Sequence, residues 1–394
     1  MSMHLTKEEE RLLESDDPAV RKAMDLLVEL GDIYGAEEMV EIGSAQASGI
    51  SYKSIGDPGV EFLEGFADEG AEVSVETFAN PAGMDMSQWE QMGVGEEFAE
   101  KQRRIQAALR EMGVTLSFTC TPYLAGNLPR RGEHVAWAES SAVSFANSVI
   151  GARTNREGGP SALAAAITGR TPKHGLHLEE NRKPDVAIEV AADVETQSDF
   201  AALGSWIGRE VEDGKPYFTG VDHGRTDELK SLGAAMAASG AVALYFVEGV
   251  TTEEAPPSGV ETLTVEPSDL QAEYDRLTTD DDPDLVVFGC PHASQEEIAD
   301  VADAVEDEQL DSDLWVCTSG ATKTWADRNG HTETIEEAGG MVLADTCNVV
   351  SPIEEMGYET SATDSAKAAN YLPGFSNQQV LFDDKRSLLE EVKK

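Results

Sequence analysis

Between Thr119 and Arg182 the sequence gathers residue types able to do chemistry. They are Thr119-Cys120-Thr121, His134, Glu139-Ser140-Ser141, Asn147-Ser148, the run from Gly151 to Gly159 with Arg153, Arg156 and Glu157, then Arg170 and His177. The stretch is too rich in glycine, arginine, asparagine and hydroxyls to read as a core. Buried polar groups need partners, so it is either a solvated loop or a site. A solvated loop is the ordinary outcome for any one of these residues; for the set, a site is the better reading. Glu139 could act as an acid or orient a hydroxyl, or be a plain carboxylate at a helix N-terminus. Arg153, Arg156 and Arg170 could hold a carboxylate or phosphate through bidentate contacts, or pair with nearby acids. His134, His177 and His292 could be acids or neighbours of a metal cluster, although each alone is more ordinary as a hydrogen-bonded structural residue.

Four cysteines, Cys120, Cys290, Cys317 and Cys347, show no Cys-x-x-Cys spacing, which argues against a zinc ribbon or a thioredoxin-like centre. Buried small hydrophobes are the usual fate of such residues. Each, however, is expected directly after a strand, and open α/β sheets bind ligands at the carboxyl ends of their strands. That shared position points to a cluster or metal assembled from distant loops. Three thiolates can hold a cubane iron–sulfur cluster with one iron open as a Lewis acid for a hydroxyl. Eliminating water also needs a base for the proton alpha to a carboxylate. The loop Ser48-Gly49-Ile50-Ser51-Tyr52-Lys53 could present backbone N–H groups and a hydroxyl to an anion, or be an ordinary turn. Lys367, a lone cation among alanines, would by itself be a surface lysine.

The elements that must position these residues alternate. Helices are expected over 8–13, 18–30, 60–66, 96–112, 200–211, 227–238, 267–277, 295–305 and near 334–337. Strands are expected over 39–42, 72–78, 115–118, 185–190, 217–221, 242–247, 285–288, 314–316 and 341–343. Residues 43–53 read as one loop, and Thr251 to Gly259 reads as a loose connection. The class is α/β with mostly parallel sheets. With 394 residues, two or three domains or subdomains are expected, here 1–183, 184–310 and 311–394. A nucleophile elbow is absent, as is a Gly-x-Gly-x-x-Gly fingerprint, which argues against a serine hydrolase and a Rossmann dehydrogenase.

Net charge is −46, from 29 basic and 75 acidic residues. Such a surface is repelled by nucleic acid and anionic membranes, and no run of eighteen apolar residues is present. The amino-terminal residues lack a basic start and an apolar segment, so they do not read as a signal peptide, and a cytoplasmic location is expected. Acid spread along the whole chain suggests a high-salt cytoplasm, where screening relieves self-repulsion.

The motif Glu139-Ser140-Ser141-Ala142-Val143, with Asn147-Ser148 and the run Gly151 to Gly159, closely resembles the catalytic large subunit of the aconitase X family. The resemblance runs from about His4 to about Lys385 and covers 1–394 as one catalytic region. It implies an aconitase-like fold of several α/β/α subdomains around a central cluster site. It also implies a [4Fe–4S] cluster on Cys120, Cys290 and Cys347, with Cys317 a packed strand-end residue. True aconitases place two ligands as Cys-x-x-Cys, and this chain departs from them. Substrate binding is carried by the resemblance onto Gly49, Ile50, Ser51, Asn80, Pro81, Glu139, Ser140 and Lys367, with Glu139 and Ser140 also the candidate catalytic residues. The loop Ser48 to Ser51 lacks the cysteine that the related cis-3-hydroxyproline dehydratases carry, which favours the phosphomevalonate branch. The implied reaction is dehydration of a small anionic substrate, (R)-5-phosphomevalonate, to trans-anhydromevalonate 5-phosphate. Dehydration of cis-3-hydroxy-L-proline or another small hydroxy acid is the alternative, and a cluster-free binding protein a second one. No base announces itself, so the resemblance also implies a small subunit whose swivelling domain brings the catalytic serine.

Overall fold

The computed structural model describes residues 3–251 and 256–393. Residues 252–255 of the expected loose connection lie outside the described residues. The chain divides into two compact units, Met1–Pro81 with Gly95–Lys183, and Ala82–Val94 with Pro184–Lys394.

The first unit carries strands β1 (Met39–Glu41), β2 (Ser44–Ala47), β3 (Glu76–Ala79), β4 (Thr115–Phe118), β5 (Ala136–Trp137) and β6 (Arg170–Pro172). Its helices are α1 (Lys7–Leu13), α2 (Pro18–Tyr34), α3 (Tyr52–Asp68), α4 (Glu96–Glu111), α5 (Ser140–Phe145) and α6 (Gly159–Thr168). The start of α2 follows from its sequence: Asp17 accepts from the backbone N–H of Ala19 and Val20, and Pro18 sits at the first helical position, where no N–H is needed. Four strands form a parallel sheet in the order β4-β3-β2-β5, while β1 and β6 pair antiparallel beside it.

One expectation fails here. Residues 43–53 are not one loop, because Ser44–Ala47 is a central strand, buried along its whole length. Ser-Ala-Gln-Ala carries no β-branched or aromatic residue, so no propensity signals it; small side chains suit a strand covered by the alanine-rich α6. The polar stretch after Cys120, read as a site rather than a solvated loop, is buried where it forms α5 and α6: every residue of α5 is buried, as are Ser161 to Thr168 of α6. Several of its polar groups pair within the stretch. Asn147 Nδ2 donates to the Thr154 carbonyl at 2.9 Å and Asn147 Oδ1 accepts from the Thr154 N–H at 3.1 Å. Arg182 donates to Asn147 and to the carbonyls of Leu176 and Ala152.

The second unit carries β7 (Val186–Val190), β8 (Pro216–Thr219), β9 (Phe246–Val247), β10 (Glu261–Val265), β11 (Leu285–Phe288), β12 (Asp313–Thr318), β13 (Met341–Ala344), β14 (Thr360–Thr363) and β15 (Gln379–Phe382). Its helices are α7 (Gln197–Val211), α8 (Thr226–Ser239), α9 (Pro267–Leu277), α10 (Gln295–Val305), α11 (Gly320–Asn329), α12 (His331–Ala338), α13 (Ala366–Ser376) and α14 (Lys385–Glu391). Two parallel sheets form, β10-β7-β8-β9 and β13-β12-β11-β14-β15. Val286, Phe288, Val316 and Val342 anchor the core of the five-stranded sheet against α10 to α12 and α14. The segment 82–94 joins it where Asp85 Oδ2 accepts from the Ala344 N–H at 2.8 Å. Among the described residues no helix is long and apolar enough to cross a membrane.

Candidate functional site

In the first unit, each strand of the parallel sheet delivers candidate residues at its carboxyl end. Ser48 to Ser51 follow β2, Asn80 and Pro81 follow β3, Thr119 and Cys120 follow β4, and Ala138, Glu139 and Ser140 follow β5. The direction of the chain reverses across β2, with β3 and β4 on one side and β5 on the other. Such a reversal is where open α/β sheets form a binding crevice. The ladder continues past the strands and fixes these ends: Asn80 N–H donates to the Ala47 carbonyl at 2.7 Å, Thr119 N–H to the Ala79 carbonyl at 2.9 Å, and Ala138 N–H to the Gln46 carbonyl at 3.1 Å.

Two glutamines hold the loops and were invisible to sequence reasoning. Gln46, 0% exposed, donates from Nε2 to the Thr119 carbonyl at 2.7 Å, directly before Cys120. Gln102 of α4 donates to the Ile50 carbonyl at 2.9 Å and accepts from the Tyr52 N–H at 3.0 Å, closing a two-pronged clamp on the Gly49–Ser51 loop. Gly49 takes φ +71°, a conformation open to glycine. Gly159 lets the other side of that loop approach, since a Cβ there would lie 2.5 Å from the Ser48 carbonyl oxygen. Glu139 caps α5. Its Oε1 accepts from Ser141 Oγ at 3.1 Å, from Ser140 Oγ at 3.4 Å and from the Ser141 N–H at 3.5 Å. A carboxylate so placed can orient the Ser140 hydroxyl.

The second unit repeats the principle on its five-stranded sheet. Cys290 follows β11, Cys347 follows β13, and Asp364 and Lys367 follow β14. Here the reversal falls between β11 and β14, which pair in register from Leu285 with Ser361 to Val287 with Thr363. Lys367 is buried, not the surface lysine its sequence context suggests. Asp364 was missed by sequence reasoning; burial pushes its carboxyl up to about 6. Cys317 departs from the strand-end pattern. It lies within β12, paired in register with Leu343. Its exposure is 0%, against 5%, 8% and 6% for Cys120, Cys290 and Cys347, and all four residues are buried. Among the described residues, His, Cys, Asp and Glu form no group of three or more that could hold a single metal ion.

Arg153, Arg170, His134 and His177 take structural places. Arg153 pairs with Glu179, and Arg170 contacts Glu8, Glu9 and Glu41. His134 and His177 meet through Nδ1 atoms 2.9 Å apart. Burial holds His177 neutral, with its pKa lowered to about 3, so one ring donates and the other accepts.

The Aconitase X first, second and third domain models match residues 2–180, 184–275 and 283–394. The chain is 52% identical over 392 residues to the phosphomevalonate dehydratase large subunit of Methanothermobacter thermautotrophicus, covering 98% of each chain. It is 32% identical over 384 residues to the cis-3-hydroxy-L-proline dehydratase of Hypocrea jecorina, covering 92% of this chain and 64% of that protein. The crystal structure of Thermococcus kodakaraensis aconitase X in its holo-form superposes with a TM-score of 0.93 at 47% identity, covering 99% of this chain and 100% of the other. In overall fold and in sequence along nearly its whole length, the chain belongs to the aconitase X family.

Proposed function

We propose that this chain is the large, catalytic subunit of a phosphomevalonate dehydratase, a hydro-lyase that converts (R)-5-phosphomevalonate to trans-anhydromevalonate 5-phosphate. The observation that carries this reading is full-length similarity to large subunits of that name, at 52% identity, against 32% for a cis-3-hydroxy-L-proline dehydratase of which the chain spans less than two thirds.

The donor set fits an iron–sulfur cluster. Cys120, Cys290 and Cys347 are soft ligands just past strand ends, whereas Cys317 lies inside a strand. A cubane spreads three thiolates further apart than one ion does, which accords with the absence of a single-ion group among the described residues. A bound [4Fe–4S] cluster with one open iron supplies a Lewis acid that makes a substrate hydroxyl a leaving group.

The chain's own residues bind and orient. The Gly49–Ser51 loop and Asn80-Pro81 receive the substrate on the first unit's sheet edge. Lys367 offers a desolvated ammonium to a carboxylate or phosphate, where a charge-assisted bond is strongest. Glu139 directs the Ser140 hydroxyl. The alpha proton goes to a group brought by a small subunit, a reading supported by the large-subunit names of the relatives. The acidic surface, −46 overall, suits a concentrated-salt cytoplasm.

The test is to purify the chain anaerobically, measure iron and sulfide, and assay dehydration of (R)-5-phosphomevalonate with and without the small subunit. Activity should appear only with both. Full activity from this chain alone would overturn the two-subunit assignment.

A further inference from the structure

His292 lies between the two thiol loops of the second unit, and no step above has used it. It is 0% exposed, and its Nε2 stands 2.9 Å from the Thr346 carbonyl oxygen. A carbonyl only accepts, so the ring proton sits on Nε2. Thr346 is the residue before Cys347, and Pro291 alone separates His292 from Cys290. One N–H therefore ties the first loop to the second within two residues of each thiol.

The backbone around His292 is fixed as firmly as its ring. Its carbonyl accepts from Lys230 Nζ at 3.2 Å. Lys230 has a fully buried side chain, held by Asp227 at 2.9 Å and by Glu297. The next residue is held at both ends: Ala293 N–H donates to the Cys317 carbonyl at 2.9 Å, and the Ala293 carbonyl accepts from Thr318 Oγ1 at 2.7 Å. On the other loop, Asp345 N–H donates to the Thr318 carbonyl at 2.7 Å, and Thr346 Oγ1 meets Ser351 Oγ at 2.9 Å. With both backbones anchored and a rigid ring between them, little freedom is left in the separation of the loops. Ligands preset in this way bind a metal group with less loss of conformational entropy.

We propose that His292 is a positioning residue of the thiol site: its Nε2–H to Thr346 sets the spacing of Cys290 and Cys347 before a cofactor arrives. The inference rests on reading those two thiols as cluster ligands. It goes further in assigning the spacing to one side chain that acts through the Thr346 carbonyl.

The experiment compares wild type with His292→Gln, His292→Asn and His292→Leu, all reconstituted anaerobically with the small subunit. A glutamine amide can place its N–H near the former Nε2, whereas asparagine falls short of it. The readouts are iron and sulfide per chain, the rate of iron loss to a chelator, the visible circular dichroism of the cluster, and the melting temperature of the cluster-free protein. Asn and Leu variants should lose iron about tenfold faster or more, the scale on which partners of metal ligands act, with an altered dichroism spectrum. The Gln variant should keep the wild-type spectrum and most of the wild-type retention. His177→Leu, a buried histidine of the first unit, should lower the melting temperature and leave the iron-loss rate unchanged. If His292→Leu does not fold, the Gln and Asn pair decides. Equal iron loss in Gln and Asn variants, or wild-type retention in Leu or Asn, overturns the positioning role. Wild-type protein free of iron and sulfide overturns the dehydratase reading, and this inference with it.

Discussion

Gly289→Ala should damage the Cys290 loop out of proportion to the single methyl group it adds. Gly289 has φ +98°, and a Cβ there would stand 2.0 Å from the Cys317 carbonyl oxygen, 2.9 Å from the Cys317 carbonyl carbon and 3.1 Å from the Ala293 nitrogen. These are backbone atoms with no rotamer to escape into. The Cys317 carbonyl is held by β12 and by the Ala293 N–H. Relief requires backbone movement, in the segment that carries Cys290. Gly339 gives the control: φ is +107°, but nothing lies within 4 Å of its would-be Cβ. Backbone strain costs about 1–3 kcal/mol at either position. Forcing atoms into packed space adds about 1–3 kcal/mol, and occasionally more, at Gly289 alone. Urea unfolding of Gly289→Ala, Gly339→Ala and wild type at one salt concentration reads the difference, and iron content reads its consequence for Cys290. Two variants destabilised alike, to within about 0.5 kcal/mol, would refute the close-approach argument.

Three more expectations follow from individual side chains. Asp364, with its carboxyl pushed up to about 6 by burial, stays protonated in the folded chain where an unfolded one would ionise. Its contribution therefore makes stability fall as pH rises from about 4 to about 6. Asp364→Asn should be more stable than wild type above that window, by up to about 3 kcal/mol, with the gap closing towards pH 4 in unfolding titrations; a gap that does not change with pH would contradict this. Lys367→Ala should raise the apparent substrate constant about tenfold or more, since a charge-assisted hydrogen bond contributes about 1.5–3 kcal/mol, and unchanged steady-state kinetics would remove Lys367 from the substrate site. Replacing Cys120, Cys290 or Cys347 with Ser should remove the brown absorbance, while Cys317→Ser keeps it; the reverse pattern in any pair would break the ligand assignment.

Long periodic helices such as α2 and α4, and apolar strands such as β11, were legible because their hydrophobic spacing matches their geometry. β2 was not, since Ser44-Ala45-Gln46-Ala47 earns its place by small size in a covered sheet rather than by β propensity. Of the site, the strand-end position of Cys120, Cys290 and Cys347 could be read from pattern alone. Cys317 was expected just past its strand, but β12 runs on two residues beyond Val316, to Thr318, and contains it. The contacts that hold the site together could not be read, although His292 itself stood among the candidate residues. Gln46, Gln102 and His292 act across 73, 52 and 54 positions of sequence, and no local signal records such contacts. The stretch after Cys120 shows the same limit: its polar residues set it apart from an apolar core, but the pairing of Asn147 with Thr154 and Arg182, 7 and 35 positions away, could not be read from them.

The central claim is dehydration of a phosphorylated hydroxy acid, and one assay meets it most directly. The anaerobically purified chain, carrying its cluster and joined to its small subunit, is given (R)-5-phosphomevalonate and cis-3-hydroxy-L-proline in parallel, with products followed by NMR. The account predicts cluster-dependent loss of water from phosphomevalonate, giving trans-anhydromevalonate 5-phosphate, and no turnover of the proline. Turnover of cis-3-hydroxy-L-proline with none of phosphomevalonate would contradict it.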